Sequence, residues 1–222
     1  MRRILIGCEE SQAVCIEFRK LGIEAFSCDT QECSGGHPEW HIKEDVLKVV
    51  NDGWDMMIGH PPCTYLSNAG IGWFNEEKYG EKAVKRKANR NEAMEFFMKL
   101  YNAPIKRICL ENPVGYPNSV FRKPDQVIQP YFFGDAHKKG TCLWLKNLPK
   151  LIYCKADNLF ETQTTVEPKV LAIQYRKPSK YYKGGEEKKR YFTDAGTRNA
   201  KVRSKTFDGI AKAMAEQWSK VL

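Results

Sequence analysis

The sequence predicts a doubly wound α/β sheet, and three observations predict it. The chain opens as strand, turn, helix and strand, the signature of a parallel βαβ unit. Further short apolar runs follow, each broken sharply by Gly, Pro or polar residues and separated by stretches of helical spacing. Acidic and reactive side chains stand just past the ends of those runs. Open parallel sheets bind ligands outside the carboxyl ends of their strands, so such a sheet brings these groups together.

Taken in order, Arg3 to Gly7 is a short strand rich in Ile and Leu. Ser11 to Leu21 carries Val14, Ile16, Phe18 and Leu21 at helical spacing, and Gly22 is a helix stop. Glu24 to Cys28 is a second strand that ends at Asp29. Val46 to Val50 is a short helix, and Trp54 to Ile58 is a third strand, broken by Gly59-His60-Pro61-Pro62-Cys63. A glycine-bearing loop runs from Thr64 to about Gly80. Lys82 to Tyr101 is a long helix with Ala93, Phe96, Phe97 and Leu100 as its apolar positions. Lys106 to Leu110 is a fourth strand, ended by Glu111-Asn112-Pro113, and Thr141 to Leu145 is a fifth. Thr206 to Leu222 is an amphipathic helix with Ile210, Met214 and Trp218 on one face.

The composition bounds the class. A chain of 222 residues, 42% hydrophobic and 28% charged, fits one domain over residues 1–222, with 155–193 as a small basic, tyrosine-bearing insertion. An aromatic content of 12% argues against a disordered chain. No run approaches the roughly 18 apolar residues of a membrane span. The N-terminus is basic and then apolar, but the run stops at Cys8-Glu9-Glu10, too short for a signal peptide, so a cytoplasmic protein with no membrane partner is expected. The net charge of +9 favours a polyanionic partner such as nucleic acid, although composition alone fits a merely basic surface as well. Cys8, Cys15, Cys109 and Cys142 lie in apolar segments and are expected as buried thiols.

Two short segments carry chemistry. Cys63 follows two prolines just past a buried strand. Prolines fix φ and remove donors, which makes a rigid mount for a nucleophile, or simply a packed loop cysteine. Glu111 directly follows Ile108-Cys109-Leu110. A carboxylate there can hold a raised pKa and share a proton with a substrate nitrogen, or it can belong to an ordinary Asn-Pro turn.

Together these segments resemble the DNA cytosine-5 methyltransferases, in particular small phage-type members. Gly59 to Gly70 (GHPPCTYLSNAG) resembles that family's Gly-x-Pro-Cys-Gln-x-Phe-Ser-x-Ala-Gly segment, and Glu111-Asn112-Pro113 its Glu-Asn-Val. The resemblance runs in order along most of the chain. It implies a Rossmann-like sheet of the S-adenosylmethionine-dependent methyltransferase type. It also implies Cys63 as nucleophile on carbon 6 of a flipped cytosine, with Pro62 shaping its turn and Glu111 at ring nitrogen 3. For the cofactor, S-adenosyl-L-methionine, the resemblance implies Gly7, Cys8, Glu9 and Ser11 in the first loop and Asp29 at the ribose hydroxyls. Asp45 falls at the adenine, and Pro61 and Thr206 complete the set. The partner implied is cytosine-containing DNA in a bacterial or phage-infected cell. The chain departs from the pattern in three places. Its first loop, Gly7 to Gln12, has one glycine; Thr64 replaces a glutamine; and Gly140 stands for an arginine, with Lys138 taking the place of another.

Basic residues suited to DNA gather at the start of the long helix, including Lys85 and Arg86, and in the insertion, where Lys180, Lys188 and Arg190 are interleaved with tyrosines. Asn112 and Lys138 complete the expected nucleic-acid contacts. Cys28, Cys33, His37 and His41 have a spacing compatible with zinc, but Cys28 belongs to a strand, and no metal is expected. Three other readings stand beside the cytosine-5 one. The His60-Pro61-Pro62-Cys63 segment also resembles the Asp/Asn-Pro-Pro-aromatic motif of amino-group methyltransferases, with departures at His60 and Cys63. A diverged methylase fold that binds nucleic acid or protein needs neither Cys63 nor Glu111. A pyrimidine acceptor in RNA or a free nucleotide is the variant closest to the leading one.

Overall fold

A computed structural model describes residues 2–153, 165–176, 186–191 and 205–222 of the chain. The first strand, β1 (Arg3–Gly7), leads into α1 (Ala13–Lys20) and back to β2 (Glu24–Asp29), and β1 and β2 pair in parallel. A short β3 (His41–Lys43) precedes α2 (Val46–Val49) and β4 (Met56–Gly59). Next come α3 (Glu76–Tyr79), the long α4 (Glu81–Tyr101) and β5 (Arg107–Pro113). A single-turn α5 (Pro117–Val120), β6 (Gln126–Ile128) and β7 (Thr141–Lys146) complete the main sheet. A separate antiparallel pair, β8 (Val170–Arg176) and β9 (Glu186–Tyr191), precedes the last helix, α6 (Asp208–Trp218).

The main sheet has seven strands in the order β3-β2-β1-β4-β5-β7-β6. It is parallel from β3 to β5 and antiparallel at β7, which lies between β5 and β6. This is the expected doubly wound α/β architecture. Its two faces can be read from the alternation of the strands. Ile4, Ile6, Met56 and Ile58 pack with Phe18 of α1 and Met214 and Trp218 of α6. Leu5, Met57, Ile108, Leu110 and Trp144 pack on the other face with Phe97 and Leu100 of α4. All of these side chains are fully buried. Each contributes about 1.5–3 kcal/mol by leaving water, so the sheet's edge is a stiff platform.

The structure corrects several expectations. The Glu111-Asn112-Pro113 segment does not end its strand. β5 runs on through Pro113 because β7 pairs with it there, Glu111 opposite Leu143 and Pro113 opposite Thr141. The fifth expected strand, β7, is therefore antiparallel. The stretch from Thr64 to Gly80 is largely helical, with a 3-10 segment at Asn68–Phe74 followed by α3. The strands β3 and β6 and the β8–β9 pair are found where none was expected. They are short, or lie in polar sequence where alternation is weak. Lys180 lies outside the described residues, while Lys188 and Arg190 fall on β9. Among the described residues no helix is long and apolar enough to cross a membrane.

Candidate active site

The site is built on the carboxyl ends of two neighbouring parallel strands. In the β4–β5 register Gly59 lies opposite Leu110, so the next residues, His60 and Glu111, emerge side by side. Nδ1 of His60 lies 3.1 Å from Oε2 of Glu111, and the two side chains are only 10% and 15% exposed. The amide of His60 also donates to the Gly7 carbonyl at 2.9 Å, which ties this turn to β1.

The electrostatics of the pair follow from its burial. Burial pulls the His60 pKa down, but the hydrogen bond and charge of Glu111, helped by the charge of Glu9, more than reverse this and leave it raised. Burial pushes Glu111 up, yet the His60 hydrogen bond and charge, with Lys139 behind them, leave it below its ordinary value. Each shift favours the charged form of its group, so the two partners stabilise one another's charge. Nε2 of His60 is buried and, among the described residues, has no hydrogen-bond partner.

Cys63 sits at the tip of the same turn. Pro61 is buried, Pro62 exposed and Cys63 half-buried. Asn112, 1% exposed, donates from Nδ2 to the Pro61 carbonyl at 2.7 Å. The amides of Leu66 and Ser67 fold back onto the Cys63 carbonyl, at 3.1 and 2.9 Å. Beyond them, Ser67 bridges to Gly115 through two amides, Tyr116 onto the Leu66 carbonyl at 2.7 Å and Asn68 onto the Val114 carbonyl at 3.1 Å. A Cβ on Gly115 would come within 1.9 Å of the Leu66 carbonyl oxygen, so only glycine allows this approach. The Cys63 and Glu111 segments are therefore joined by four separate contacts. Asn112, expected among the DNA contacts, is placed as one of these fasteners.

None of the seven described cysteines is in a disulfide. Burial raises the thiol pKa of Cys8 and Cys109, and pushes Cys15 and Cys28 up to about 12. Those thiols stay protonated, unlike what a nucleophile needs.

A cleft beside the pair is lined by Glu111, Lys139, Thr141, Lys205, Thr206, Phe207 and Ile210. Thr206, expected on the cofactor side, thus shares a cleft with Glu111. The cation in this cleft that faces Glu111 from the β7 side is Lys139, whereas Lys138 is exposed. The helix α6 is brought here by Asp135, whose carboxylate accepts from the Gly209 amide at 2.9 Å.

The expected cofactor residues lie at the ends of β1 and β2 and at the start of α2. Cys8 is half-buried, and its pKa is raised first by burial and then by the charges of Asp29 and Asp45, which puts both acids around it. Asp45 caps α2, accepting from the Leu47 amide at 2.9 Å, and Asp29 accepts from Gln31 at 2.9 Å. Without the family's glycines, the first loop reaches left-handed conformations at Cys8 (φ 59) and Gln12 (φ 58). Glu9 turns inward instead of towards a ligand. It is 4% exposed, and its carboxylate accepts from the Val14 and Cys15 amides at 2.7 and 3.3 Å, filling the N-terminus of α1. Burial leaves its pKa raised all the same, outweighing the His60 charge and the two amides.

Lys85 is exposed, as a DNA contact requires, but Arg86 is spent on packing. Its guanidinium donates to the Thr64 carbonyl at 2.9 Å and lies over the Tyr65 and Phe74 rings. Arg90 lies in the same way over Phe74 and Tyr116. Between them they hold the segment after Cys63 against α4. Among the described residues no group of His, Cys, Asp and Glu has a metal-binding arrangement. Cys28 instead donates to the Glu44 carbonyl at 3.3 Å, and His41 pairs with Ser27 at 2.8 Å.

Sequence reasoning missed His60. The signal was available: His60 and Glu111 each follow an apolar strand, and adjacent parallel strands in register put such residues side by side.

No family model and no curated protein matches the chain. Solved structures do. The Dnmt2 methyltransferase of S. pombe is 11% identical, with a TM-score of 0.41, over 68% of this chain and 50% of that one. A DNMT2 mutant of Spodoptera frugiperda is 13% identical, with a TM-score of 0.44, over 77% of this chain and 58% of that one. An E. coli prophage protein described as a candidate DNA modification methyltransferase is 13% identical, with a TM-score of 0.44, over 83% and 62%. The chain therefore spans between half and two thirds of the length of these structures.

Proposed function

We propose that this chain methylates carbon 5 of cytosine in DNA through a covalent adduct at Cys63, using S-adenosylmethionine. The observation that carries this reading is the fastening of Cys63 to Glu111: a half-buried thiol on a rigid turn, with a buried carboxylate on the next strand. Carbon 5 of cytosine is a weak nucleophile. Addition of the Cys63 thiolate to carbon 6 converts the ring to an enamine, and Glu111 stabilises that adduct at ring nitrogen 3. Once carbon 5 of this enamine has taken up the methyl group, loss of the carbon-5 proton expels the Cys63 thiolate. The base must leave the duplex stack to reach Cys63 and Glu111, and the segment that follows Cys63 presents Ile71 and Trp73, 64% and 57% exposed, on the surface. The exposed Lys85 and Lys138 suit the phosphate backbone.

The cofactor residues fit the group in one chemical respect. Asp29 and Asp45 offer carboxylates at the strand ends, and Glu9 already occupies the α1 amides that a phosphate would seek. Such a site favours a ligand with hydroxyls, an amino group and a positive charge over one with phosphates. When bound, S-adenosylmethionine supplies the activated methyl group.

Nucleoside mass spectrometry of duplex DNA after incubation with protein and S-adenosylmethionine tests the proposal. We expect 5-methylcytosine with the natural chain and none with Cys63→Ala. No modified base on duplex or single-stranded DNA of mixed sequence would overturn it and favour a binding role.

A further inference from the structure

We infer that His60 and Glu111 act as one proton-carrying pair, in which His60 is the positioning residue that keeps a proton beside Glu111 for delivery to the ring nitrogen of a bound pyrimidine. The inference rests on the reading above and deepens it.

The geometry sets a problem and its solution together. Ring nitrogen 3 of neutral cytosine is a hydrogen-bond acceptor, so Glu111 must bring a proton to it. An ionised carboxylate would meet that lone pair with its own. Glu111 alone is the wrong partner, because its surroundings hold it ionised at neutral pH. The group placed to supply the missing proton is Nδ1 of His60, 3.1 Å from Glu111 Oε2. As the thiolate adds to carbon 6, negative charge builds on nitrogen 3. The His60 Nδ1–H passes its proton to Glu111 Oε2, and the Oε2–H so formed gives that proton on to nitrogen 3. His60 is left neutral, and the proton returns when Cys63 is expelled, so none is gained or lost over the cycle.

The groups facing His60 suit this role. Glu9 approaches from the β1–α1 loop and its charge favours the imidazolium, Glu111 does so from β5, and Lys139 opposes it from the β7 side. Among the described residues Nε2 of His60 meets no hydrogen-bond partner, so the ring is oriented by its Nδ1 contact with Glu111.

Two measurements test the inference. The chain has four histidines, so the imidazole nitrogens can be followed by NMR against pH, with His60 assigned by its loss in His60→Gln. We expect His60 to titrate above the ordinary histidine value in the natural chain and to fall back in Glu111→Gln. A His60 that is neutral throughout the range from mildly acidic to neutral pH overturns the pairing.

The second measurement is release of tritium from carbon 5 of cytosine in DNA without cofactor, which reads adduct formation alone. Glutamine can hold Glu111 by a hydrogen bond but cannot carry its proton. His60→Gln should therefore slow release about 10²-fold at neutral pH and recover towards acid, where Glu111 protonates directly. An unchanged profile, or an equal loss at every pH, overturns the inference. If the natural chain itself releases no tritium, the cytosine reading fails and the delivery step with it, while the NMR titration still decides whether the pair shares a proton.

Discussion

The two halves of the candidate site reach their shapes by different means. On the Cys63 and Glu111 side, the backbone is held by contacts between segments about fifty residues apart: His60 on Glu111, Asn112 on Pro61, Asn68 on Val114 and Tyr116 on Leu66. On the Asp29 and Asp45 side, the loop after β1 stands in left-handed conformations at two non-glycine residues. It is held there by local contacts and by its neighbour. The Ser34 amide donates to the Glu10 carbonyl at 2.8 Å, and a Cβ on Gly35 would meet the Gln12 side chain and the Ser11 carbonyl inside 3 Å. One half is fastened and the other is strained. Covalent chemistry at a ring needs the thiol and the acid at fixed separation, whereas a bound cofactor can hold its own loop.

This contrast can be broken most directly at Gly115. Gly115→Ala forces the Leu66 carbonyl away and moves the Cys63 turn. We expect a loss of about 1–3 kcal/mol in stability, seen as a fall in Tm, and a drop in 5-methylcytosine formation larger than the fall in Tm explains. Asn112→Ala leaves the Pro61 carbonyl unpaired in a buried place. It should cost about 1–3 kcal/mol in urea unfolding, with weakened activity but an intact fold by circular dichroism. The His60–Glu111 pair should show itself in Tm against pH. The raised His60 contributes stability that is whole below its ordinary value of 6.5 and lost as pH rises through its folded value. The lowered Glu111 contributes stability that is present above its ordinary value of 4.5 and lost as pH falls through its folded value. Tm should therefore be highest between these values, and Glu111→Gln should flatten both flanks. The smallest effect has the opposite sign. Cys8→Gly relieves a left-handed residue at the strained half, offset by the freedom glycine adds to the unfolded chain, and should raise stability by up to about 1 kcal/mol. A loss instead would mean that the loop is fastened like its counterpart.

The central strands were legible because their Ile, Leu and Met runs are buried on both faces and end in unmistakable breakers. The β1–α1–β2 opening and the final helix were legible through the spacing of Val14, Phe18, Met214 and Trp218. The course of β5 beyond Leu110 was not, because Glu111-Asn112-Pro113 has every local mark of a turn. A partner 30 residues further on, β7, overrides those marks. Arg86 was expected to contact DNA from its place in a basic cluster, and aromatic rings that arrive through tertiary packing engage its guanidinium. Glu9 shows the same limit: whether an acid faces a ligand or a helix end depends on the backbone's path after Cys8. The convergence of Cys63 and Glu111 was read from their places after strands, but their common fastening through Asn112 needed the register.

The overhang of β5 has a consequence for motion. Glu111 and Asn112 lie beyond the last residue of β4 and take their ladder partners, Leu143 and Cys142, from β7 alone. The acid is therefore carried by the interior of a sheet and not by a loop that can breathe. The strands around it, where Trp144 and Leu110 are buried together, must separate before its amide meets solvent deuterium, so exchange at Glu111 should be as slow as in the core. The amides of Ile71 to Phe74, on an exposed 3-10 segment, should exchange much sooner. On the proposed reading, a base would meet an acid that is set before it arrives, while the exposed segment after Cys63 stays free to settle.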